Sequence, residues 1–291
     1  MTPEPLTRAT LKLFPLPGVE DGAKETKGRI LVVAGCRSMP GAAILTATAA
    51  MRAGAGKLRI ATAASIAAHV AAAMPEALVI GLDEDADGGF AASSVDRLGD
   101  EAATADAIVA GPGMERNAVC GNIAAALIES PAKLALDAAL LRNLSPSDGR
   151  RADADTHCLP ILLPHAGELA SLLDCDKADV EADPLGSGLE AAKRYRANVL
   201  VKGVESHVVT PDDRAWRFTG GAPGLGVSGS GDVLAGIVGG LLSRGADPLT
   251  ALLWSVLLHG EAGEALSRKI GPIGFLAREI PGEIPALLTR R

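Results

Sequence analysis

Aromatic side chains are scarce: 291 residues hold four Phe, two Trp and one Tyr. Proteins that grip single-stranded nucleic acid stack bases on such rings, so their scarcity argues against that class. Positive charge does not compensate, because 28 Lys and Arg face 35 Asp and Glu for a net charge of −7. That sign disfavours a polyanion partner. Cysteine is sparse too: Cys36, Cys120, Cys158 and Cys175 form no C-x-x-C pair, which points to a reducing compartment and away from a disulfide framework or zinc site. Long apolar runs are missing. Stretches such as "ALLWSVLLHG" are too short for a bilayer span of about 20 residues. The opening "MTPEPLTRATLKLFPLPGVEDGAK" scatters proline and charge where a signal peptide needs an apolar core. A cytoplasmic protein with no nucleic-acid or membrane partner is expected.

Hydrophobic residues nevertheless make up 48% of the chain, so Ala, Val, Leu and Ile must fill the core. After a Pro-rich lead-in (residues 1–26), "RILVVAG" (29–35) reads as a buried strand, and Ala42 to Ala53 as a helix. "KLRIAT" (57–62), "ALVIGL" (77–82), "AIVAG" (107–111), "LALDA" (134–138) and "PILLP" (160–164) are further apolar runs. Helix-like segments separate most of them. Continuous apolar strands alternating with helices predict an α/β fold: a central, mostly parallel sheet with helices on both faces. From 198 onward "NVLVKG", "HVVTP" and "AWRFTG" lie close together, predicting an antiparallel edge. Two helices, at 231–244 and 248–268, are expected to close the chain. No linker divides it, so residues 1–291 are expected to form one domain. Ligands of such sheets sit beyond the carboxyl ends of the strands. Gly35, Gly111 to Gly113, Asp137, His165 and Gly203 all fall there.

"APGLGVSGSGDVLAG" (222–236) sets Gly224, Gly226, Gly229 and Gly231 ahead of Asp232. The first three fit G-x-G-x-x-G by accident, since the dinucleotide fingerprint should follow the first strand of a βαβ unit. A plain glycine-rich turn would look the same. The alternative is an anion hole, where residues without Cβ let backbone N–H groups converge on a phosphate at a helix start. Asp232 then reads in two ways. It is a helix-start acid, worth about 0.3–1 kcal/mol, or the base that takes a proton from a hydroxyl attacking that phosphate.

"GSGDVLAG" resembles the phosphate-transfer motif of the ribokinase-like superfamily. Along the chain, "GAAILTATAAMRAGAGKLRIAT", "VAGPGM", "LALDAALL", "LLPHAGELASLL", "VLVKGVESHVVTPD" and "SGSGDVLAGIVGGLLSRGADPLTALLWSVLLHGEAGEAL" resemble the ADP/ATP-dependent NAD(P)H-hydrate dehydratases. That resemblance implies a ribokinase-like fold and the repair of NADH or NADPH hydrated at C6, as the (6S) epimer. The hydroxyl is phosphorylated by ADP or ATP and then expelled as phosphate. It implies Asp232 as base, Gly229, Ser230 and Gly231 as the anion hole, and Lys202, Gly203, Val204, Glu205, Ser206 and Gly231 as nucleotide contacts. Ala42, Gly113, His165 and Asp232 would contact the hydrate. It also implies Mg²⁺ with the nucleotide, no protein-held metal site and a homotetramer. No epimerase domain precedes the matched region, so a single epimer is the expected substrate.

Each residue has a plainer reading. His165 would bond a loop carbonyl, Lys202 would be a solvated strand-end lysine, and Glu168 a first-turn helix acid. Asp137 would brace a loop, and His259 would be a satisfied core histidine. His69, His157 and His207 show no metal-ligand spacing. "DEDADG" (83–88) begins like a calcium loop but has Ser94 at the twelfth position, and so reads as an exposed acidic turn. "AGAGKL" lacks the first glycine and the Ser/Thr of a P-loop. The chain departs from the resembled pattern at Cys36 and Met39 in "AGCRSMPGA", at Leu163 where Thr is frequent, and at Gly221 where Asn is common. Two rivals stand beside the dehydratase: a small-molecule kinase of the same superfamily, whose product would stay phosphorylated, and a nucleotide sensor without turnover. A sensor has no use for a base beside phosphate.

Overall fold

The structure, a computed structural model, describes residues 2–18, 28–142, 144–146 and 159–289. His157 and Cys158 lie outside the described residues. Ten strands form one sheet: β1 (Glu4–Pro5), β2 (Arg29–Val33), β3 (Lys57–Ala63), β4 (Ala77–Leu82), β5 (Ala107–Ala110), β6 (Lys133–Leu136), β7 (Ile161–Leu162), β8 (Asn198–Val201), β9 (Ser206–Val209) and β10 (Ala215–Phe218). The helices are α1 (Pro40–Arg52), α2 (Ala64–Ala73), α3 (Ser94–Ala103), α4 (Cys120–Glu129), α5 (Ala166–Leu173), α6 (Lys177–Ala182), α7 (Pro184–Tyr195), α8 (Ser230–Ser243), α9 (Pro248–Lys269) and α10 (Ile280–Leu288).

Strand order is β1-β10-β9-β8-β7-β6-β5-β2-β3-β4. From β4 across to β8 every pairing is parallel, and β8-β9 and β9-β10 are antiparallel. Consecutive residues Ile30 to Val33 and Ala107 to Ala110 are all buried. Successive strand side chains point to opposite faces, so both faces of the centre are covered, which is why these strands read as unbroken apolar runs. The chain runs outward from β2 through β3 to β4, then returns to β5 on the other side of β2. Such a reversal opens a crevice beyond the carboxyl ends of the two central strands. The loops leaving β2 and β5 carry Gly35 to Met39 and Gly111 to Gly113.

With so few rings in the core, helices can approach closely. A Cβ at Gly236 would lie 2.2 Å from the Thr46 carbonyl oxygen, and one at Gly240 would lie 2.4 Å from that of Ala50. On the sheet side, a Cβ at Gly239 would meet Val109 Cγ2 at 2.2 Å. Helix α8 is therefore wedged between α1 and β5 by glycine on two of its sides. Thr46 Oγ1 also donates to the Asp232 carbonyl oxygen at 3.1 Å.

The chain ends hold elements that the sequence reading did not name. Residues 2–18 of the lead-in contribute β1, which lies outside the antiparallel edge, pairs in parallel with β10, and is followed by the buried Leu6 and Leu11. Arg8 bonds Glu261 and the Leu287 carbonyl, which ties the lead-in to the C-terminal helices. Nor do two helices close the chain, because α10 packs on α9. Pro281 in its first turn and Pro285 in its interior disguise α10 in the sequence. Proline suits a first turn and is unfavourable further in. Among the described residues, nearly all the buried apolar side chains belong to a cluster running from Leu6 to Leu287.

Candidate active site at the start of helix α8

Gly229 caps α8 with φ +90°, and a Cβ there would lie 2.6 Å from Leu45 Cδ1 and 3.1 Å from Ala277 Cβ. Both the backbone and the space require glycine. The Ser230 N–H turns back to the Val227 carbonyl at 3.2 Å, and the Val233 N–H bonds the Gly229 carbonyl. The N–H groups of Gly231 and Asp232 bond no group among the described residues. These two donors, at the positive end of a 14-residue helix, make a candidate anion site. With its amide engaged by Val227, Ser230 has its hydroxyl left for that site, and Oγ lies 3.0 Å from His259 Nε2.

Asp232 stands in the first turn, yet its side chain caps nothing. No donor among the described residues bonds its carboxylate. Burial raises its pKa from the ordinary 3.8 to about 6; Asp137 adds to the rise and Lys202 opposes it. A helix-start acid that only served the dipole would sit in water and stay near its usual value. This one is held where it can take a proton near neutral pH.

Asp137 and Lys202 complete the polar centre. Lys202 Nζ donates to Asp137 Oδ1 at 2.8 Å, and their side chains are only 4% and 20% exposed for Asp137 and Lys202 respectively. The same ammonium lies 3.8 Å from where a Cβ on Gly231 would be. Asp137 also accepts from the Ala138 N–H, so it does brace a loop as expected, and it holds a lysine against the anion site as well. Burial pushes the Asp137 carboxyl upward while Lys202 pulls it down. Lys202 is no solvated strand-end lysine. Its backbone N–H bonds the Pro164 carbonyl, and it forms a parallel bridge with His165.

His165 does not bond a loop carbonyl. Its Nδ1 accepts from the N–H groups of Gly167 and Glu168, capping α5, while Glu168 accepts from the His165 N–H. The acceptor role at Nδ1 leaves the proton on Nε2, and the ring projects half-exposed. Glu168 is the first-turn acid expected of it. Across the crevice Ala42 lies in the first turn of α1 and Gly113 in the loop after β5. With φ +60°, Gly113 brings its Cα so near that a Cβ would lie 2.3 Å from Ala42 Cβ and 3.1 Å from the Met39 carbonyl oxygen.

In the turn after Lys202, Gly203, Val204 and Glu205 are exposed, Val204 fully. Glu205 pairs with Arg217, and Ser206 begins β9. They follow Lys202 in the chain, and none of them bonds Asp232 among the described residues. Three of the departures have local explanations. Cys36 is buried with Sγ 3.2 Å from Ser38 Oγ, Leu163 is fully buried, and Gly221 adopts φ +106°, a conformation open to glycine and, less readily, Asn. The "DEDADG" turn is less exposed than expected. Asp85 accepts from Asn117 Nδ2 at 2.7 Å, and Glu84 accepts from the Ser65 N–H.

No cluster of three or more His, Cys, Asp or Glu that could hold a metal occurs among the described residues. Asp137, the most enclosed carboxylate of the site, is engaged by Lys202. The donor set fits Mg²⁺ carried mainly by nucleotide phosphate, the usual manner for this ion. No helix is long and apolar enough to cross a membrane among the described residues. Two site residues escape sequence reasoning as functional groups, Asp137 and His259, since their partners lie 65 and 29 positions away.

Comparison with known proteins extends the likeness along the chain. The ADP-dependent (S)-NAD(P)H-hydrate dehydratase of Xanthomonas campestris pv. campestris is 48% identical over 288 residues, covering 98% of this chain and 96% of that protein. The crystal structure of the ADP/ATP-dependent NAD(P)H-hydrate dehydratase of Bacillus subtilis, co-crystallised with ATP and Mg²⁺, superposes with a TM-score of 0.84 at 25% identity, covering 99% of this chain and 98% of that one. A ribokinase-like superfamily protein of Enterococcus faecalis shares the fold at a TM-score of 0.79 and 22% identity, over 98% and 95% of the two chains. Residues 30–286 match the profile of a family described as NAD(P)H-hydrate dehydratase. That span runs from the first central strand to the C-terminal helix and includes every group gathered around α8: the chain belongs to the NAD(P)H-hydrate dehydratase family.

Proposed function

We propose that the protein dehydrates the (6S) hydrate of NADH or NADPH, using ADP and releasing AMP and phosphate. The observation that carries this reading is Asp232, an acid placed at an anion site, bonded to no donor and raised to about 6. Hydroxide leaves carbon poorly, and the site answers that difficulty.

The C6 hydroxyl of the hydrate approaches the Asp232 carboxylate, with Ala42, Gly113 and His165 lining its place. As the hydroxyl oxygen attacks the terminal phosphorus of ADP, Asp232 takes its proton. The P–O bond to AMP breaks in line with the attack. The N–H groups of Gly231 and Asp232 and the Ser230 hydroxyl receive the transferred phosphoryl group, and Lys202 supplies positive charge beside it. Mg²⁺, when bound with the nucleotide, offsets phosphate charge. The ring nitrogen lone pair then expels phosphate by cleaving the C6–O bond, and loss of a proton from C5 restores the dihydronicotinamide. Lys202 to Ser206, together with Gly231, form the nucleotide side.

The test mixes protein, Mg²⁺, the hydrate and either ADP or ATP, and follows the return of reduced-nicotinamide absorbance. Donor-dependent recovery is expected, with ADP the preferred donor. Asp232→Ala should lose about 10²–10⁴-fold in turnover, the range for a missing general base, while still binding AMP. A phosphorylated product with no recovered absorbance would replace this reading by a small-molecule kinase.

A further inference from the structure

His259 lies on α9 behind the anion site, facing Ser230, and the reaction above does not use it. Its Nε2 is 3.0 Å from Ser230 Oγ and 3.1 Å from the Ser230 carbonyl oxygen. These two neighbours settle the tautomer. A carbonyl oxygen only accepts, so a ring nitrogen at that distance carries a proton. The one N–H on Nε2 therefore points between the carbonyl and Oγ, and Oγ receives it.

A serine hydroxyl has one proton and two lone pairs, and it turns to suit its surroundings. Beside a phosphate, either orientation is open to it, and only one is useful. With a lone pair taken up by the Nε2–H, the Oγ proton is left to point away from α9, towards the space ahead of Gly231 and Asp232. The amide of Ser230 is already spent on Val227, so the hydroxyl is the residue's whole contribution to that space.

We propose that His259 is a positioning residue: by donating from Nε2 to Ser230 it fixes the Ser230 hydroxyl as a proton donor to the transferred phosphoryl group. The inference rests on the phosphoryl-transfer reading of the site. Burial supports it by pushing the ring's pKa down to about 4, with Lys202 adding to the fall. The imidazole stays neutral, so it directs a hydrogen bond without adding charge.

Three substitutions, one pair of them combined, and one spectrum test this. Removing a direct oxyanion donor costs 10²–10³ in kcat, so His259→Leu, one step removed, should lower kcat roughly tenfold with little change in KM for the hydrate. His259→Gln, whose amide N–H can reach the same oxygens, should recover most of that loss. In a Ser230→Ala background the His259→Leu change should add less than about twofold, because both act through one hydroxyl. An equal loss in both backgrounds would overturn the proposal, as would parental kcat in a folded His259→Leu enzyme. Should that variant not fold, the imidazole nitrogen spectrum of the free parent protein decides. At neutral pH it should show the proton on Nε2, and a proton on Nδ1 would overturn the assignment. Failure of the parent to restore absorbance with any donor would instead strike the proposed function and leave the tautomer result intact.

Discussion

Asp232→Asn should make the protein more stable while removing most of its turnover. In the fold the carboxyl titrates at about 6 against an ordinary 3.8, mainly through burial. The native state therefore holds this proton more tightly than the unfolded chain, and ionising the group works against folding. The penalty is absent below about pH 4, grows between about 4 and 6, and is complete above 6. A shift of about two units at 1.36 kcal/mol each gives roughly 3 kcal/mol at neutral pH. At pH 5 the same two constants leave about half of it. Asparagine keeps the shape without the charge. Urea unfolding of parent and variant at about pH 7.5 and pH 5 should thus show the variant ahead at both, by a margin that halves on acidification. A variant no more stable than the parent would refute the claim that Asp232 sits ionised at a cost. A margin independent of pH would refute its electrostatic origin.

The neighbours of Asp232 should move the acid limb of the pH–rate profile in opposite directions. Lys202 lowers the Asp232 pKa and Asp137 raises it, so Lys202→Met should carry the limb to higher pH and Asp137→Asn to lower pH; shifts of the same sign would sink this reading. Lys202→Met should also weaken AMP binding, measured by calorimetry, and an unchanged dissociation constant would remove Lys202 from the nucleotide side. Gly113→Ala would place a Cβ 2.3 Å from Ala42 Cβ at φ +60°. It should raise KM for the hydrate by roughly tenfold or more, since displacement of about 1 Å suffices for large losses, with AMP affinity unchanged.

The sheet was readable because its central strands are buried on both faces, which leaves no polar position to interrupt "RILVV" or "AIVA". The start of α8 was readable for a related reason: the positive φ and crowded surroundings at position 229 leave a glycine as their visible trace. What the sequence hid was contact across distance. Nothing in the spacing of Asp137 and Lys202 announces a 2.8 Å pair, and each alone resembles an ordinary strand-end polar residue. His259 was expected to be satisfied within the core, and so it is, but its partner belongs to the anion site. The plainer of the two readings of His165 had it meet a carbonyl, and its ring instead meets two amides. Strand β1 and helix α10 were missed because proline, permitted at a sheet edge and in a helix's first turn, reads locally as a breaker. Cys36 and Leu163, two of the departures from the resembled pattern, are both buried.

The glycines that let α8 lie against the backbone of α1 have a mechanical consequence. One helix carries Ala42 at its start, and the other carries Asp232, the proposed base, at its start. With Gly236 and Gly240 seated on the carbonyls of Thr46 and Ala50 and Thr46 bonded to the Asp232 carbonyl, the two cannot slide without a collision of main chains. They behave as a single gauge block: the gap between Ala42 and Asp232 is set by backbone thickness and not by side chains that could change rotamer. An aromatic-rich core would have spaced those helices further apart and left that gap free to vary.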